Sequence, residues 1–311
     1  MIVIDNISIA DVDEILHLWK NNFDEKYHID KNTFIKKVFD DIDFYYDDSF
    51  ILKIDGKIIG VIIIKLNNRN IKEYDNCAWL NTLLIDKRFR KHGYGSLLYG
   101  NSEEKLKDLG IKKILLGGDV YNFFSGIPEP KSDVELFFKK KGFKLNEFHY
   151  DLMADVSELD FNKLDIEINM ESVFLVKELQ LNNIEKLNKF FDKNFPGRWK
   201  YEINNYIKYN GDLRNVILLW NQNDIIGFCK IDININKNGS LGPIGIDKNY
   251  RGKKLGNKLL CESLKFLKSR GTKNVFIDWT ILKEFYGQFG FKPYKFFKSG
   301  FKEIGGILNV Q

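Results

Sequence analysis

The 311-residue sequence holds only three cysteines, Cys77, Cys229 and Cys261, each inside an apolar segment. Three scattered thiols exclude a disulfide framework. They lead to the expectation of buried thiols in a reducing compartment, the cytoplasm. The four histidines, His17, His28, His92 and His149, lie far apart, and none pairs with a cysteine or aspartate at a metal-ligand spacing, so no metal is expected. No run of about 18 apolar residues occurs, which excludes a membrane-spanning helix. Met1-Ile2-Val3-Ile4-Asp5 lacks a basic stretch followed by an apolar core, so no secretory signal is expected. The cationic excess is small too: 48 Lys and Arg against 43 Asp and Glu give a net charge of +5. Lysine is spread throughout rather than clustered, so the surface reads as solvated and no nucleic-acid partner is expected.

What is present suits a globular chain of two domains, with 44% hydrophobic and 29% charged residues. The elements repeat. In the first half a short strand at Ile2–Ile4 precedes helices near Val12–Lys20 and Asp30–Phe39. Strands Ser49–Ile54 and Lys57–Leu66 flank the hairpin signal Asp55-Gly56. Strand Ala78–Ile85 then runs into the turn Arg90-Lys91-His92-Gly93-Tyr94-Gly95 and a helix that Gly110 stops. The second half repeats this with Ser240–Ile246, Arg251-Gly252-Lys253-Lys254-Leu255-Gly256 and the leucine-striped helix 255–270. Arg90 and Arg251, Gly95 and Gly256, and Gly110 and Gly271 are each 161 positions apart. Gly142-Phe143 and Gly290-Phe291 are 148 apart, so the first half carries 13 extra residues, placed in and around the Tyr121–Pro130 loop.

A basic, glycine-bearing turn at a helix start offers free backbone N–H groups, the positive end of the helix dipole and cationic side chains. That combination suits a pyrophosphate. The turn is neither GxxxxGK[ST] nor GxGxxG, so nucleoside-triphosphate and nicotinamide readings lose support. Taken together, the apolar strand, the R-x-x-G-x-G-like turn, the following helix and the distal Phe285-Tyr286-Gly287-Gln288-Phe289-Gly290-Phe291 resemble the GCN5-related N-acetyltransferase family, in both halves.

The resemblance implies an α/β (α+β) fold of two tandem domains, 1–155 and 173–311, joined by an acidic connector at 156–172. Each would have a mixed, mostly antiparallel central sheet flanked by helices. It implies acetyl-CoA as co-substrate. The donor would be held by Ile244, Gly245, Ile246, Arg251, Gly252, Lys253, Lys254, Leu255, Gly256 and Asn257 in the second half. In the first half the matching positions are Leu84, Ile85, Arg90, Lys91, His92, Gly93, Tyr94, Gly95 and Ser96. Each half departs from the pattern once. Phe138 stands where family members often have tyrosine, and a phenyl ring donates no proton. Lys254 stands in place of a usual glycine, where it either disfavours the tight turn or adds a phosphate contact.

By the same resemblance Tyr286 protonates the leaving thiolate, and the C-terminal domain is the catalytic one. Tyr286 also fits a core tyrosine packed on the helix. An amine nucleophile must lose a proton, and Asp278 in Val275-Phe276-Ile277-Asp278-Trp279-Thr280 is a carboxylate in an otherwise apolar strand. It reads either as that base or as a strand-end cap. For the acceptor, a small-molecule amine, Phe123-Phe124-Ser125-Gly126-Ile127-Pro128 and Asp278-Trp279 resemble segments of amino-sugar N-acetyltransferases of the glucosamine/glucosaminide type. Trp199, Arg198 and Trp279 are the candidate sugar contacts, or else core packing. Polyamine or peptide-amine acetylation and acetyl-CoA sensing without turnover remain as alternatives, and the oligomeric state is open.

Overall fold

The computed structural model describes residues 1–129, 131–161 and 174–305. Most of the expected connector, 162–172, and Pro130 of the long loop lie outside the described residues. Along the chain come β1 (Ile2–Asn6), α1 (Val12–Asn22), α2 (Lys31–Lys37), β2 (Phe50–Ile54), β3 (Lys57–Leu66), β4 (Cys77–Ile85), α3 (Tyr94–Asp108), β5 (Lys113–Leu116), β6 (Ile127–Pro128), α4 (Ser132–Lys140) and β7 (Lys144–Asp155). Then follow β8 (Phe174–Glu178), α5 (Ile184–Asn194), α6 (Arg198–Lys208), β9 (Val216–Asn221), β10 (Asp224–Ile233), β11 (Gly239–Ile246), α7 (Leu255–Ser269), β12 (Asn274–Thr280), α8 (Lys283–Gly287) and β13 (Lys292–Glu303). The chain forms two units, Met1–His149 with Lys295–Gln311, and Tyr150–Tyr294.

Local chemistry sets the elements as the sequence suggests. Asp55 and Gly56 both take positive φ, 47° and 80°, as a two-residue hairpin turn requires. The Asp30 carboxylate caps α2 by accepting the Thr33 N–H at 2.9 Å. Helix α7 buries Leu255, Leu259, Leu260, Leu264 and Leu267, each at most 1% exposed. Cys261 is buried among them, which suits a packing thiol.

In the first unit β1, β2, β3 and β4 pair antiparallel in that order, and β4 pairs parallel with β5. Helix α1 covers one face through Ile15 and Trp19, and α3 covers the other through Leu98 and Leu106. The far side of β5 is occupied by β13, with Gly300–Glu303 antiparallel to Lys113–Leu116. In the second unit β8, β9, β10 and β11 pair antiparallel and β11 pairs parallel with β12. There the far side of β12 is taken by the end of β7, with Leu152–Asp155 antiparallel to Asn274–Ile277. A linear division of the chain gives each half its own last strand. The contacts instead place residues from Lys295 onward in the first unit and Tyr150–Asp155 in the second.

Phe297 belongs to the first unit's core, with its ring 5.4 Å from Phe124 and 5.5 Å from Tyr27. Phe297→Ala should cost about 3–5 kcal/mol in chemical denaturation; a loss below about 1 kcal/mol would show that the C-terminal strand does not hold this unit together.

Asp48 is fully buried beside Ser102. Burial raises its carboxyl to about 7, and the Ser102 and Lys105 contributions only partly offset this. Its native pKa lies above the unfolded value, so the native state favours the protonated form and stability falls as pH rises from about 4 through about 7. Asp48→Asn should match wild type near pH 4 and exceed it by up to about 4 kcal/mol at pH 8. Equal stabilities at pH 8 would refute a raised Asp48 carboxyl.

Candidate active site

The second unit's site begins with a bulge. Cys229 pairs with Ile244 but Ile231 pairs with Leu241, so Gly242 and Pro243 together oppose Lys230. Beyond the pairs Gly239–Val275 and Ser240–Phe276, β11 and β12 make no further ladder pairs. The two parallel strands part, and over 244–246, where pairing with β10 is regular, alternate N–H groups point away from β10 into the opening. Ile244, Gly245 and Ile246 lie on this stretch. Gly245 is held tightly from the other face: a Cβ there would come within 2.7 Å of the Phe195 ring and 3.0 Å of Phe228.

β11 runs into the basic turn. The buried Asp247 carboxylate accepts the Asn249 N–H at 2.9 Å, and Asp86 accepts the Arg88 N–H at the same distance in the first unit. Arg251 Nε donates back to the Ile246 carbonyl at 3.1 Å, and Arg90 Nε to the Ile85 carbonyl at 3.0 Å. Each arginine therefore fastens its own turn. The two turns share one backbone path, with Arg90 at φ −69°, ψ 159° and Arg251 at φ −68°, ψ 160°.

Each turn needs two left-handed residues. In the first these are Lys91 (φ 66°) and Gly93 (φ 86°); in the second, Gly252 (φ 76°) and Lys254 (φ 60°). Glycine and lysine have exchanged places, and Lys254 adopts the turn rather than breaking it. Both turns are exposed and lead into 15-residue helices. Leu255 is buried, whereas Lys253 and Lys254 are exposed, and Gly256 and Asn257 occupy the first turn of α7. In the first unit Lys91, His92, Gly93 and Ser96 are exposed, Tyr94 and Gly95 half-buried, and Leu84 and Ile85 buried. A Cβ on Gly256 would meet Phe285 at 3.8 Å, and one on Gly95 would meet Phe137 at 3.6 Å, so the distal aromatic helix closes on the turn in both units.

The units differ at the chemical positions. Tyr286 is buried, its ring 5.0 Å from Phe285 and 5.9 Å from Phe291. Burial, with Cys229 beside it, raises its phenol well above the usual value, so the hydroxyl keeps its proton at neutral pH. Phe138 holds the matching place in the first unit, equally buried. There the parting of β4 from β5 is bridged: Gly117 N–H donates to Leu80 O at 3.0 Å, and Asn81 Nδ2 to Asp119 at 2.8 Å. Asp119, just past the end of β5, is fully buried and ion-paired with Lys65 at 2.7 Å. Its burial would raise the carboxyl, but the Lys65 ammonium and the Phe123 and Asn81 donors outweigh that and hold it low.

In the second unit Asp278 is exposed, on a bulge of β12. Ile277 pairs with Leu152 and Thr280 with Tyr150, so Asp278 and Trp279 together oppose Asp151. The Arg198 guanidinium lies 4.6 Å above the Trp279 ring, and its Nε donates to Glu202 at 2.5 Å. Trp199, at the start of α6, packs instead on Phe195 and Phe228, with ring distances of 4.8 Å and 5.9 Å. Sequence reasoning passed over Asp151, although a carboxylate inside Tyr150-Asp151-Leu152 carries the same signal that singled out Asp278. Among the described residues no group of three His, Cys, Asp or Glu side chains is arranged to hold a metal, and no helix is long and apolar enough to cross a membrane.

A bulged strand running into a cationic turn at a helix start, built twice, with a parallel neighbour that leaves the strand in the second unit, defines a fold for enzymes that hold a nucleotide-borne thioester. The sequence model of the acetyltransferase (GNAT) family matches residues 12–125 and 181–291, and the chain belongs to that family of acetyl-CoA-dependent acetyltransferases. Among solved structures, a GCN5-related glucosamine N-acetyltransferase region of a fungal multi-domain GH3 β-N-acetylglucosaminidase matches 97% of this chain with a TM-score of 0.83 and 18% identity. The match spans 38% of that protein. A GCN5-related N-acetyltransferase from Sphaerobacter thermophilus matches 98% of this chain and 96% of its own, with a TM-score of 0.74 and 14% identity. A tandem GNAT protein of the clavulanic acid pathway matches 98% and 99%, with a TM-score of 0.62 and 11% identity. At these identities the likeness is one of fold. No curated protein sequence matches the chain significantly.

The second turn offers backbone N–H groups at the start of α7, with the exposed Lys253 and Lys254 beside them. Lys254→Gly should leave acetyl-CoA affinity within about threefold and raise stability by up to about 1 kcal/mol, as a left-handed non-glycine residue is relieved. A loss beyond tenfold in calorimetric titration would show that the Lys254 ammonium carries the phosphate contact.

Proposed function

We propose that the second unit transfers acetyl from acetyl-CoA to the primary amine of a small molecule, an amino sugar of the glucosamine class, and that the first unit is not catalytic. The observation that carries this is the asymmetry of the two openings. In the second unit a buried, protonated tyrosine and an exposed aspartate accompany a parted strand pair. In the first, phenylalanine replaces the tyrosine and Asp119 is spent on Lys65.

The residues divide the work as follows. The turn 251–257 and the start of α7 hold the pyrophosphate. An amine acceptor is an ammonium at neutral pH, with a pKa of about 8–10, and Asp278, directly or through water, takes its proton. The freed nitrogen bonds to the acetyl carbonyl carbon while N–H groups of 244–246 stabilise the charge on its oxygen. As the carbon–sulfur bond breaks, Tyr286 gives its proton to the sulfur, and the second proton shed by the acylated nitrogen returns to Tyr286 by way of solvent, leaving a neutral amide. Trp279, with one face under Arg198, offers an aromatic surface for the apolar face of a sugar ring. Arg198, Glu202 and Asp278 supply partners for hydroxyls. Trp199 serves packing in this reading. The fungal structure of like fold, described as a glucosamine N-acetyltransferase region, supports the same acceptor class. Three free, buried cysteines suit a reducing cytoplasm.

The test is acetyl-CoA turnover against glucosamine, chitosan oligomers, spermidine and peptide amines, with wild type, Tyr286→Phe and Asp278→Asn. Glucosamine-class amines should give the highest kcat/KM. Tyr286→Phe should lower kcat about 10²-fold with acetyl-CoA affinity within twofold, and Asp278→Asn should lower activity most at neutral pH. Donor binding without turnover of any amine would replace this reading with a sensor. Wild-type rates in either variant would remove that residue's role.

A further inference from the structure

Asp151 is 5% exposed, yet it sits where the ladder between β7 and β12 breaks register. Its Oδ1 accepts the Trp279 N–H at 3.0 Å. Trp279 is in the left-handed region, at φ 53°, a conformation an aromatic residue adopts only when its surroundings impose it. The N–H that Asp151 receives is the one the bulge removes from the ladder, since Asp278 and Trp279 oppose a single residue of β7. A carboxylate accepting a backbone N–H makes a strong hydrogen bond, and an unpaired N–H at this depth is costly.

The bulge also decides which way Asp278 faces. Alternate residues of a strand take opposite faces, so one inserted residue shifts the side-chain alternation relative to β7. Ile277 is buried, Asp278 exposed, Trp279 half-buried and Thr280 buried again. Collapse of the bulge would slip β12 by one residue. It would also exchange the faces of Asp278 and Trp279, and separate the Trp279 ring from Arg198.

We propose that Asp151 is a positioning residue for acetyl transfer: by holding the Trp279 N–H it maintains the β12 bulge that presents Asp278 and the Trp279 ring to the acceptor. This rests on the assignment of Asp278 and Trp279 above. It predicts a separation between two substitutions. The amide oxygen of Asp151→Asn still accepts the N–H but cannot act as a base, whereas Asp151→Ala loses the acceptor altogether.

The experiment measures kcat and the KM for acetyl-CoA and for glucosamine in the full-length chain, with thermal melting alongside. Asp151→Asn should keep kcat within about threefold of wild type. Asp151→Ala should lower kcat at least 30-fold and raise the KM for glucosamine, with the KM for acetyl-CoA within twofold. Were Asp151→Ala to unfold, Asp151→Asn alone still tests the claim. Loss of activity in Asp151→Asn with melting unchanged would overturn it and make Asp151 itself a proton acceptor. Wild-type kinetics in Asp151→Ala would equally overturn it. Full activity of Asp278→Asn, with Asp151→Ala impaired, would instead refute the assignment of Asp278 on which the inference rests.

Discussion

The second unit depends on one interrupted interaction: β11 and β12 pair for two residues and then part. Parallel strands ordinarily keep pairing, because a buried N–H or carbonyl left without a partner is costly. Here the interruption is stabilised from both sides. The bulge at Gly242-Pro243 displaces β11, and the bulge at Asp278-Trp279 displaces β12. Phe195 and Phe228 press on Gly245 where no side chain fits. The leucine face of α7, buried beneath, fixes the turn that leaves β11. What results is a set of strand N–H groups facing an opening instead of a neighbouring strand, the arrangement needed to stabilise charge on a carbonyl oxygen.

The first unit shows the same backbone with the interruption closed. Its strands pair for four residues, and the loop after β5 returns to β4 through Gly117 and Asp119. The 13 additional residues of that half make this return possible. They bring Phe123 and Phe124 into a cluster with Trp19, Phe34 and Phe297. Asp119 is balanced by Lys65, which also pairs with Asp41, and Arg69 adds pairs to Asp41 and Asp43. Removing one partner of such a buried set leaves an uncompensated charge, which ties the loop firmly to the sheet. The turn, by contrast, is intact in both units, because its shape rests on two left-handed residues and an aspartate cap rather than on a fixed order of glycines.

Much of this was legible in the sequence. The 161-residue spacing gave the duplication, and hydrophobic period gave the helices and their buried faces. The turn, Tyr286 and Phe138 stood out as local motifs. What escaped notice depends on partners distant in sequence. Nothing in Lys292–Glu303 says that its later residues pair with Lys113–Leu116, because aromatic residues such as Phe296, Phe297 and Phe301 fit the face of either sheet. Lys254 looked like a defect while only glycine count was considered; its tolerance became clear once Lys91 was seen in the alternate left-handed position. Asp119 and Asp278 look alike as strand-end carboxylates, and only the position of Lys65 separates a buried ion pair from an exposed carboxylate. Asp151 carried a readable signal, but its role needs the strand opposite.

The central claim is that acetyl transfer takes place in the β11–β12 opening of the second unit. The most direct measurement is a crystal structure with a bisubstrate analogue joining CoA, through an acetyl bridge on sulfur, to the amine of glucosamine. The account predicts the pyrophosphate on turn 251–257, the sulfur within hydrogen-bonding reach of Tyr286 Oη, and the sugar against Trp279 near Asp278. An analogue seated with its sulfur between β4 and β5, or with its sugar remote from Asp278 and Trp279, would contradict it.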